Sequence, residues 1–306
     1  GLRIDPKTNG PARSPRVSGL TLMALPGGEQ TKVELPAGGR FGFPAWAPDG
    51  KRFAAPRTTP DGIELWVGEV ENPKLTKVEG VRLNAAIGDA FQWMPGSKAL
   101  LVQLIPANRG DAPVAPLAPT GPVVQESDGK AGPVRTYQDL LKGAHDEALF
   151  EFHATSQLAV VNLPEGKVTP LGEPAIVVGS DPSPDGAYVL VTTLKRPFSD
   201  LHPYSLFPQT TRVIDANSGA VVQTVVERPL QDQVPIEGVP TGPRAVRWVP
   251  TMPHTLMWVE ALDDGDPRKK VPHRDAVFTA SVGGKPVELL KLEHRFSGAD
   301  FFPTGN

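Results

Sequence analysis

Residues that could carry catalysis are few and scattered in this 306-residue sequence. It contains no Gly-x-Ser-x-Gly nucleophile elbow, no phosphate-binding glycine loop and no Gly-x-Gly-x-x-Gly dinucleotide motif. The six histidines include no pair at the i, i+4 spacing of a zinc-binding helix. The absence of cysteine excludes thiolate metal ligands and cysteine nucleophiles. The sequence therefore predicts no catalytic residue, no metal site and no cofactor within these residues.

A second group that could do chemistry is the basic residues of four segments, 57–62, 106–155, 195–210 and 262–272, which are predicted to be long insertions that follow second strands. Arginine forks match carboxylates in a water-poor cleft, so converging bases would bind an anionic peptide side chain. The bases are Arg57; Arg109 and Arg135; Lys195 and Arg196; and Arg268, Lys269 and Lys270. Of these, Arg109, Arg135, Lys195 and Arg196 are the candidate substrate-binding residues. The alternative is a set of solvated loops, because aspartates are interleaved with the bases.

The same turn sequence recurs in the parts of the chain between these basic segments. Trp46-Ala47-Pro48-Asp49-Gly50 combines a proline, which presets φ near about −65°, with a glycine that can take positive φ. An alternating apolar run follows, as in a β-hairpin. The pattern returns at 181–191, in degraded form at 93–103 and 248–260, and as a last copy at 302–306. A hairpin repeated along the chain predicts a repeat protein.

A second hairpin, with a glycine- or proline-containing turn, alternates with the first. It occurs at 18–35, 63–79, 157–171, 211–226 and 275–292. Pairing the two hairpins predicts four-stranded antiparallel blades of an incomplete all-β propeller. The units are 43–80, 84–172, 175–227 and 244–292, with the start of the next blade at 296–306 and an N-terminal segment with a β-hairpin at 1–42. A β-sandwich is the alternative, although it has no reason to repeat two turns in the same order.

The segment 106–155 departs from the repeat and is predicted to be a partly helical insert. Thr136 with Asp139 resembles a capping box, and the apolar residues that follow share one helical face. Gly143 would end this helix, and a second would start near Asp146.

The connections after the second strands of propeller blades leave on one side, so the four basic segments are expected to share a face. The five tryptophans occupy alternating strand positions and are expected to pack between blades.

Charge and hydropathy exclude two classes of partner. The net charge of −3 and pI of about 6.1 argue against a nucleic-acid-binding surface. No apolar run approaches the roughly 18 residues of a membrane span. We therefore expect neither nucleic acid nor membrane as a partner. The 35 prolines and 31 glycines suit short strands joined by tight turns.

Six segments carry a resemblance to a known family. They are Gly1-Leu2-Arg3-Ile4-Asp5, residues 84–93, Pro106-Ala107-Asn108-Arg109-Gly110-Asp111, residues 134–141, Asp181-Pro182-Ser183-Pro184-Asp185 and Arg196-Pro197-Phe198-Ser199. In these segments the sequence resembles the propeller of prolyl oligopeptidase family serine peptidases, in the glutamyl endopeptidase branch. The resemblance implies a propeller that gates and positions peptide substrates, with cleavage after Glu by a Ser-Asp-His triad. It also implies an α/β-hydrolase domain, which these residues do not contain.

Two other functions fit the same sequence. One is the propeller of an acylaminoacyl- or dipeptidyl-peptidase-like enzyme, and the other is a stand-alone protein-interaction propeller. The expected compartment is periplasmic or secreted bacterial, because the chain starts at Gly1 and lacks cysteine. A cytoplasmic or plastid location is the alternative.

Overall fold

The computed structural model describes residues 2–13, 15–38, 40–117 and 137–302, which form short antiparallel strands and one α-helix. The strands before the insert are β1 (Ile4–Asp5), β2 (Gly10–Pro11), β3 (Leu20–Met23), β4 (Gln30–Val33), β5 (Arg40–Phe41), β6 (Ala45–Trp46), β7 (Arg52–Thr59), β8 (Gly62–Glu69), β9 (Leu75–Lys77), β10 (Phe91–Trp93) and β11 (Ala99–Leu104). The later elements are α1 (Ala144–Ala154), β12 (Thr155–Asn162), β13 (Lys167–Pro170), β14 (Ala175–Pro182), β15 (Tyr188–Leu194), a 3-10 helix (Tyr204–Leu206), β16 (Gln209–Asp215), β17 (Val221–Arg228), β18 (Arg244–Trp248), β19 (Thr255–Ala261), β20 (Asp275–Ser281) and β21 (Val287–Leu292).

These strands form successive antiparallel meanders. In the first group, β5 and β6 both pair with β7, and β8 and β9 follow. The next three groups are β10–β13, β14–β17 and β18–β21. The start of β12 also pairs with the start of β14, which joins the second and third groups into one sheet. Each group is a blade of four strands, with its first strand interrupted in the first blade.

The recurring proline turn is present in all four blades. The amide of Gly50 donates to the carbonyl of Ala47 at 2.9 Å, and Gly50 takes a φ of 68°. The same bond closes 94–97, 183–186 and 249–252. In the degraded copy at 94–97, Ser97 takes a positive φ of 57°, as Gly50 and Gly186 do at the same position of their turns. The turn geometry therefore persists where its sequence has changed.

Successive blades pack face to face, which distinguishes a propeller from a sandwich of two sheets. Leu100 and Val102 of β11 join a core with Ala54 and Leu65 of the first blade. Their neighbour Leu101 points to the other side and packs with residues of the third blade. A further core contains residues of the third and fourth blades. Because alternate side chains of a strand face opposite sides, one blade contributes to two cores. The expected propeller architecture is confirmed.

Tryptophans link neighbouring blades at equivalent positions. The indole Nε1 of Trp93 donates to the carbonyl of Ala45 in the preceding blade at 2.9 Å. Trp248 makes the same bond to Asp181 at 2.8 Å. Trp46 departs from the expectation of packing between blades, because it is 53% exposed and contacts Phe53 of its own blade. The interblade hydrogen bond is therefore made by tryptophans at the end of the first strand of a blade, in the second and fourth blades.

Two local predictions are wrong. Segment 57–62 is not a long insertion, because β7 and β8 extend through it and leave only Pro60 and Asp61 as a connection. In the insert, no helix covers 137–143; the helix begins at Ala144, with Gly143 preceding it rather than ending it. Asp146 and Glu147 in its first turn suit the positive end of the helix dipole. Thr136, the predicted cap, lies outside the described residues.

Candidate functional site

The connections that follow the second strands meet on one side of the propeller. We call this the connection face; it comprises the turn 60–61, the described parts of the insert (106–117 and 137–154) and the loops 195–208 and 262–274. Its parts are joined by direct contacts. Arg196 of one loop pairs with Glu147 and Glu151 of α1. The link between the third and fourth blades hydrogen-bonds to both large loops, from Gln231 to Leu206 and from Val239 to Gly265. The basic segments therefore belong to one continuous surface.

Helix α1 is held on this face by an aromatic cluster. Phe150 is 3% exposed and meets the ring of Phe198 edge-on at 5.1 Å and that of Phe207 at 5.7 Å. Both partners belong to the loop that follows β15, so the insert of the second blade packs on the connection of the third blade. A cavity of about 410 Å³ lies between α1 and the N-terminal segment, with Ile4 and Leu149 among its lining residues.

Most bases of the connection face are paired with carboxylates. Lys195 lies 3.2 Å from Glu227, and Arg196 lies 2.6 Å from Glu147 and 3.0 Å from Glu151. The other paired bases are Arg57 with Glu64, Arg268 with Asp266, and Lys269 with Asp264. Arg135 lies outside the described residues. For the paired bases the charge is largely compensated within the chain, as the solvated-loop alternative expects.

Arg109 differs from these bases, because neutral groups hold its guanidinium. Its Nη1 donates to Oδ1 of Asn9 at 2.9 Å, and the guanidinium lies over the ring of Phe152, 4.2 Å from the centroid. Within the described part of the chain, no carboxylate lies within ion-pairing distance of Arg109. Burial, and then the charge of Arg82, lower the pKa of Arg109 below its ordinary value. Arg109 is thus a fixed cation with a second arginine nearby.

A buried amide network fixes the position of Asn9. Asn9 is 1% exposed with a φ of 56°, a conformation that asparagine tolerates better than most residues. Its Nδ2 donates to Oδ1 of Asn84 at 2.6 Å and to the carbonyl of His153 at 2.9 Å. Asn84 in turn donates to the carbonyls of His153 and Thr155. The N-terminal segment, the second blade and the end of α1 are therefore joined at one point.

His153 takes one defined tautomer in this network. Its Nδ1 lies 2.7 Å from Oδ1 of Asn9, and that oxygen also accepts from Arg109. Because a carbonyl oxygen only accepts, Nδ1 carries the proton. Burial, reinforced by the charge of Arg109, lowers the pKa of His153. The imidazole is thus held neutral.

A second charge cluster closes the connection of the fourth blade. Arg295 lies 2.6 Å from Asp263 and 2.9 Å from Asp275, both fully buried carboxylates. Arg274 also pairs with Asp263, and Arg244 with Asp275. Burial alone would raise the pKa of both aspartates, but hydrogen bonds from the arginines outweigh it and the pKa values are lowered. These ion pairs balance the two buried carboxylates and hold the loop 262–274 in place.

Sequence reasoning found Arg109 but missed the residues around it. Arg82, Asn9 and His153 lie outside any catalytic motif, and their spacing in the sequence carries no signal. Asn84 did lie in a segment that carried the family resemblance. Among the described residues, no group of three or more histidine, aspartate or glutamate side chains could hold a metal ion. Nor does the described part of the chain include a helix long and apolar enough to span a membrane.

Comparison with known proteins gives clear relatives. No family model matches the sequence. A protein from Oryza sativa subsp. japonica named "Probable glutamyl endopeptidase, chloroplastic" is 34% identical over 322 residues, which cover 98% of this chain and 34% of that protein. A protein of the same name from Arabidopsis thaliana is 36% identical over 318 residues, covering 97% and 33%. The chain thus spans about a third of the length of these curated relatives.

Among solved structures, Pyrococcus horikoshii acylaminoacyl peptidase matches with a TM-score of 0.47 and 15% identity, over 86% of this chain and 33% of that chain. The β-propeller domain of the Trilobed protease from Pyrococcus furiosus matches with a TM-score of 0.45 and 9% identity, over 83% and 58%. The names of the two plant relatives agree with the family that the six segments resemble. The resemblance to the glutamyl endopeptidase branch is confirmed: both curated relatives carry that name, and the propeller described here is similar to about a third of their length.

Proposed function

We propose that this chain is the gating and substrate-positioning part of a serine endopeptidase that cleaves peptides after Glu. Hydrolysis is assigned to an α/β-hydrolase domain outside these 306 residues. The observation that carries the proposal is the connection face, where contacts between successive blades gather the basic segments on one surface. Most bases of this surface are paired within the chain, so a peptide carboxylate would be attracted to Arg109, whose described partners are neutral. The names of the two plant relatives support the same activity.

The division of labour is tested on the full-length protein. A fluorophosphonate probe, which labels activated serines, is expected to modify a serine outside residues 1–306, with loss of peptidase activity. Peptide mapping by mass spectrometry locates the label. A labelled and essential serine within the 306 residues would contradict the assignment.

Specificity is tested with two peptides that differ only by Glu or Gln at one position. The full-length protein should cleave after Glu and cleave the Gln peptide far more slowly. Equal cleavage of both peptides would contradict the preference for Glu. Gating is tested by placing the Glu peptide inside a folded domain, where we expect cleavage to be lost until the domain is unfolded.

We propose the cellular compartment from the names of the same two relatives. Their names support the plastid alternative, and nothing in the comparisons supports a periplasmic or secreted bacterial location. Peptides inside an organelle would then be the substrates. Fractionation of the source cells, with detection of the protein by antibody, tests this location.

A further inference from the structure

Basic side chains on the connection face and beside it at Arg82 include two classes that differ in their partners. Those paired with carboxylates, such as Arg196 and Arg268, already have their charge compensated. Arg109 and Arg82 form the second class, because each donates to a neutral oxygen. Arg109 donates to the amide of Asn9, and Arg82 donates to the main-chain carbonyl of Asp61 at 2.5 Å. Among the described residues, neither has a carboxylate within ion-pairing distance.

The backbone brings these two arginines to one place. Ile105 donates its amide to the carbonyl of Arg82 at 3.0 Å, and Leu83 pairs with Leu104. The chain then turns, with the amide of Arg109 bonded to the carbonyl of Pro106 at 3.2 Å. Two like charges held near each other repel, and the repulsion is stronger where water is partly excluded. Binding of an anion would remove this cost.

The orientation of Arg109 is set before any ligand binds. Asn9 accepts from one side of the guanidinium and Phe152 covers one face, while Asn84 and His153 hold Asn9 from behind. A guanidinium has five donors, and Asn9 uses one nitrogen. The remaining donors can form the two parallel hydrogen bonds that a carboxylate accepts.

We propose that Arg109, with Arg82 beside it, is the site that selects the acidic side chain of the peptide, and that Asn9 positions Arg109. This inference rests on the proposed function and names its specificity-determining residues. The peptide's C-terminal carboxylate offers the same chemistry, so the test must separate the two carboxylates.

The experiment uses the full-length protein and four peptides, which combine Glu or Gln at the cleavage position with a free or amidated C-terminus. The variants are Arg109→Gln and Arg82→Gln, with Arg268→Gln as the matched control. Arg268 lies on the same face but is exposed and paired with Asp266. Glutamine at 109 can still donate to Asn9, so the fold is expected to persist. An unchanged urea midpoint confirms this for each variant.

Loss of the arginine should lower the ratio of kcat/KM for Glu over Gln peptides. Charge-assisted hydrogen bonds are worth about 1.5–3 kcal/mol, which corresponds to roughly a tenfold to hundredfold fall for Arg109→Gln. Arg82→Gln should give a smaller fall, and Arg268→Gln should stay within about twofold. The fall should be the same for acid and amide peptides. An unchanged ratio in both Arg109→Gln and Arg82→Gln overturns the proposal, as does a loss that follows the terminal carboxylate.

A binding measurement separates failure of this site from failure of the proposed function. The Glu and Gln peptides are titrated calorimetrically into the wild type and Arg109→Gln. If the wild type cleaves neither peptide but binds the Glu peptide through Arg109, the site stands and the peptidase assignment fails. If the wild type cleaves after Glu and Arg109→Gln binds and cleaves as the wild type does, the peptidase assignment stands and the site fails.

Discussion

At the residue scale, the partner of a basic side chain matters more than its type or its loop. Arg109 and Arg196 both lie in basic segments and both stack on phenylalanine. Arg196 faces two glutamates of α1, whereas Arg109 faces an asparagine oxygen. An internal ion pair leaves little attraction for a ligand, while a cation with neutral partners keeps its full charge. The two arginines are therefore assigned different roles.

The network around Asn9 makes stability depend on pH through His153. Because the pKa of His153 is lowered in the folded chain, the unfolded chain binds more protons below about pH 6.5. The free energy of unfolding should therefore fall as the pH drops below that value, by at most about 1.4 kcal/mol per pH unit. Above it, the histidine is neutral in both states and has no effect on the pH dependence.

We expect His153→Gln to reduce the fall in urea midpoint between pH 7.5 and pH 5.5. The control is His294→Gln, because His294 is exposed. Equal pH dependence in the wild type and His153→Gln would show that the imidazole is not held neutral.

At the scale of elements, α1 is stabilised by packing against the neighbouring connection rather than by its own sequence. The residue that precedes it, Gly143, makes no side-chain cap, and the helix passes directly into β12. Phe150 supplies the main contact, with its ring between Phe198 and Phe207. The position of the insert thus depends on a loop about fifty residues further along the chain.

Phe150→Ala should destabilise the protein by about 3–5 kcal/mol, the usual cost of deleting a buried aromatic ring. The urea midpoint measures the loss, and hydrogen exchange should accelerate in 144–154. Phe43→Ala is the matched control, because Phe43 is 65% exposed. It should change stability by less than about 0.5 kcal/mol. Similar effects of the two substitutions would refute the role of the aromatic cluster.

At the scale of the whole molecule, the blades are held together by their apolar faces and by a few directional bonds, and the second and third blades also by the pairing of β12 with β14. The cores between successive blades are apolar, and the bonds from Trp93 and Trp248 set how one blade sits on the next. Apolar faces alone would allow one blade to shift relative to the next. A buried indole that must reach a carbonyl of the preceding blade selects one position.

Trp248→Phe should cost about 1–2 kcal/mol, because the ring is largely kept while the carbonyl of Asp181 loses its partner. Trp46→Phe is the control, since Trp46 is half exposed and its ring contact is with Phe53 of its own blade. Thermal or urea unfolding measures both. A cost for Trp248→Phe no larger than that for Trp46→Phe would mean that the interblade bond contributes nothing.

The propeller could be predicted from the sequence because its signals are local. A proline turn closes within four residues, and a short continuous apolar run such as 99–102 marks a strand that is buried on both faces. The helix predicted before Gly143 is absent from 137–143, because a capping pattern such as that at 136–139 is also common in loops, whereas the helix predicted near Asp146 is present as α1.

The candidate site depends on contacts between distant parts of the chain. Asn9, Arg82, Arg109 and His153 come from separate segments, and their sequence separations reach 144 residues. Residue types and turns determined that this chain is a propeller with basic connections. Only the tertiary structure decided which bases meet carboxylates and that Arg109 and Arg82 have neutral partners among the described residues, because ion pairs form between side chains that folding brings together, irrespective of their distance in sequence.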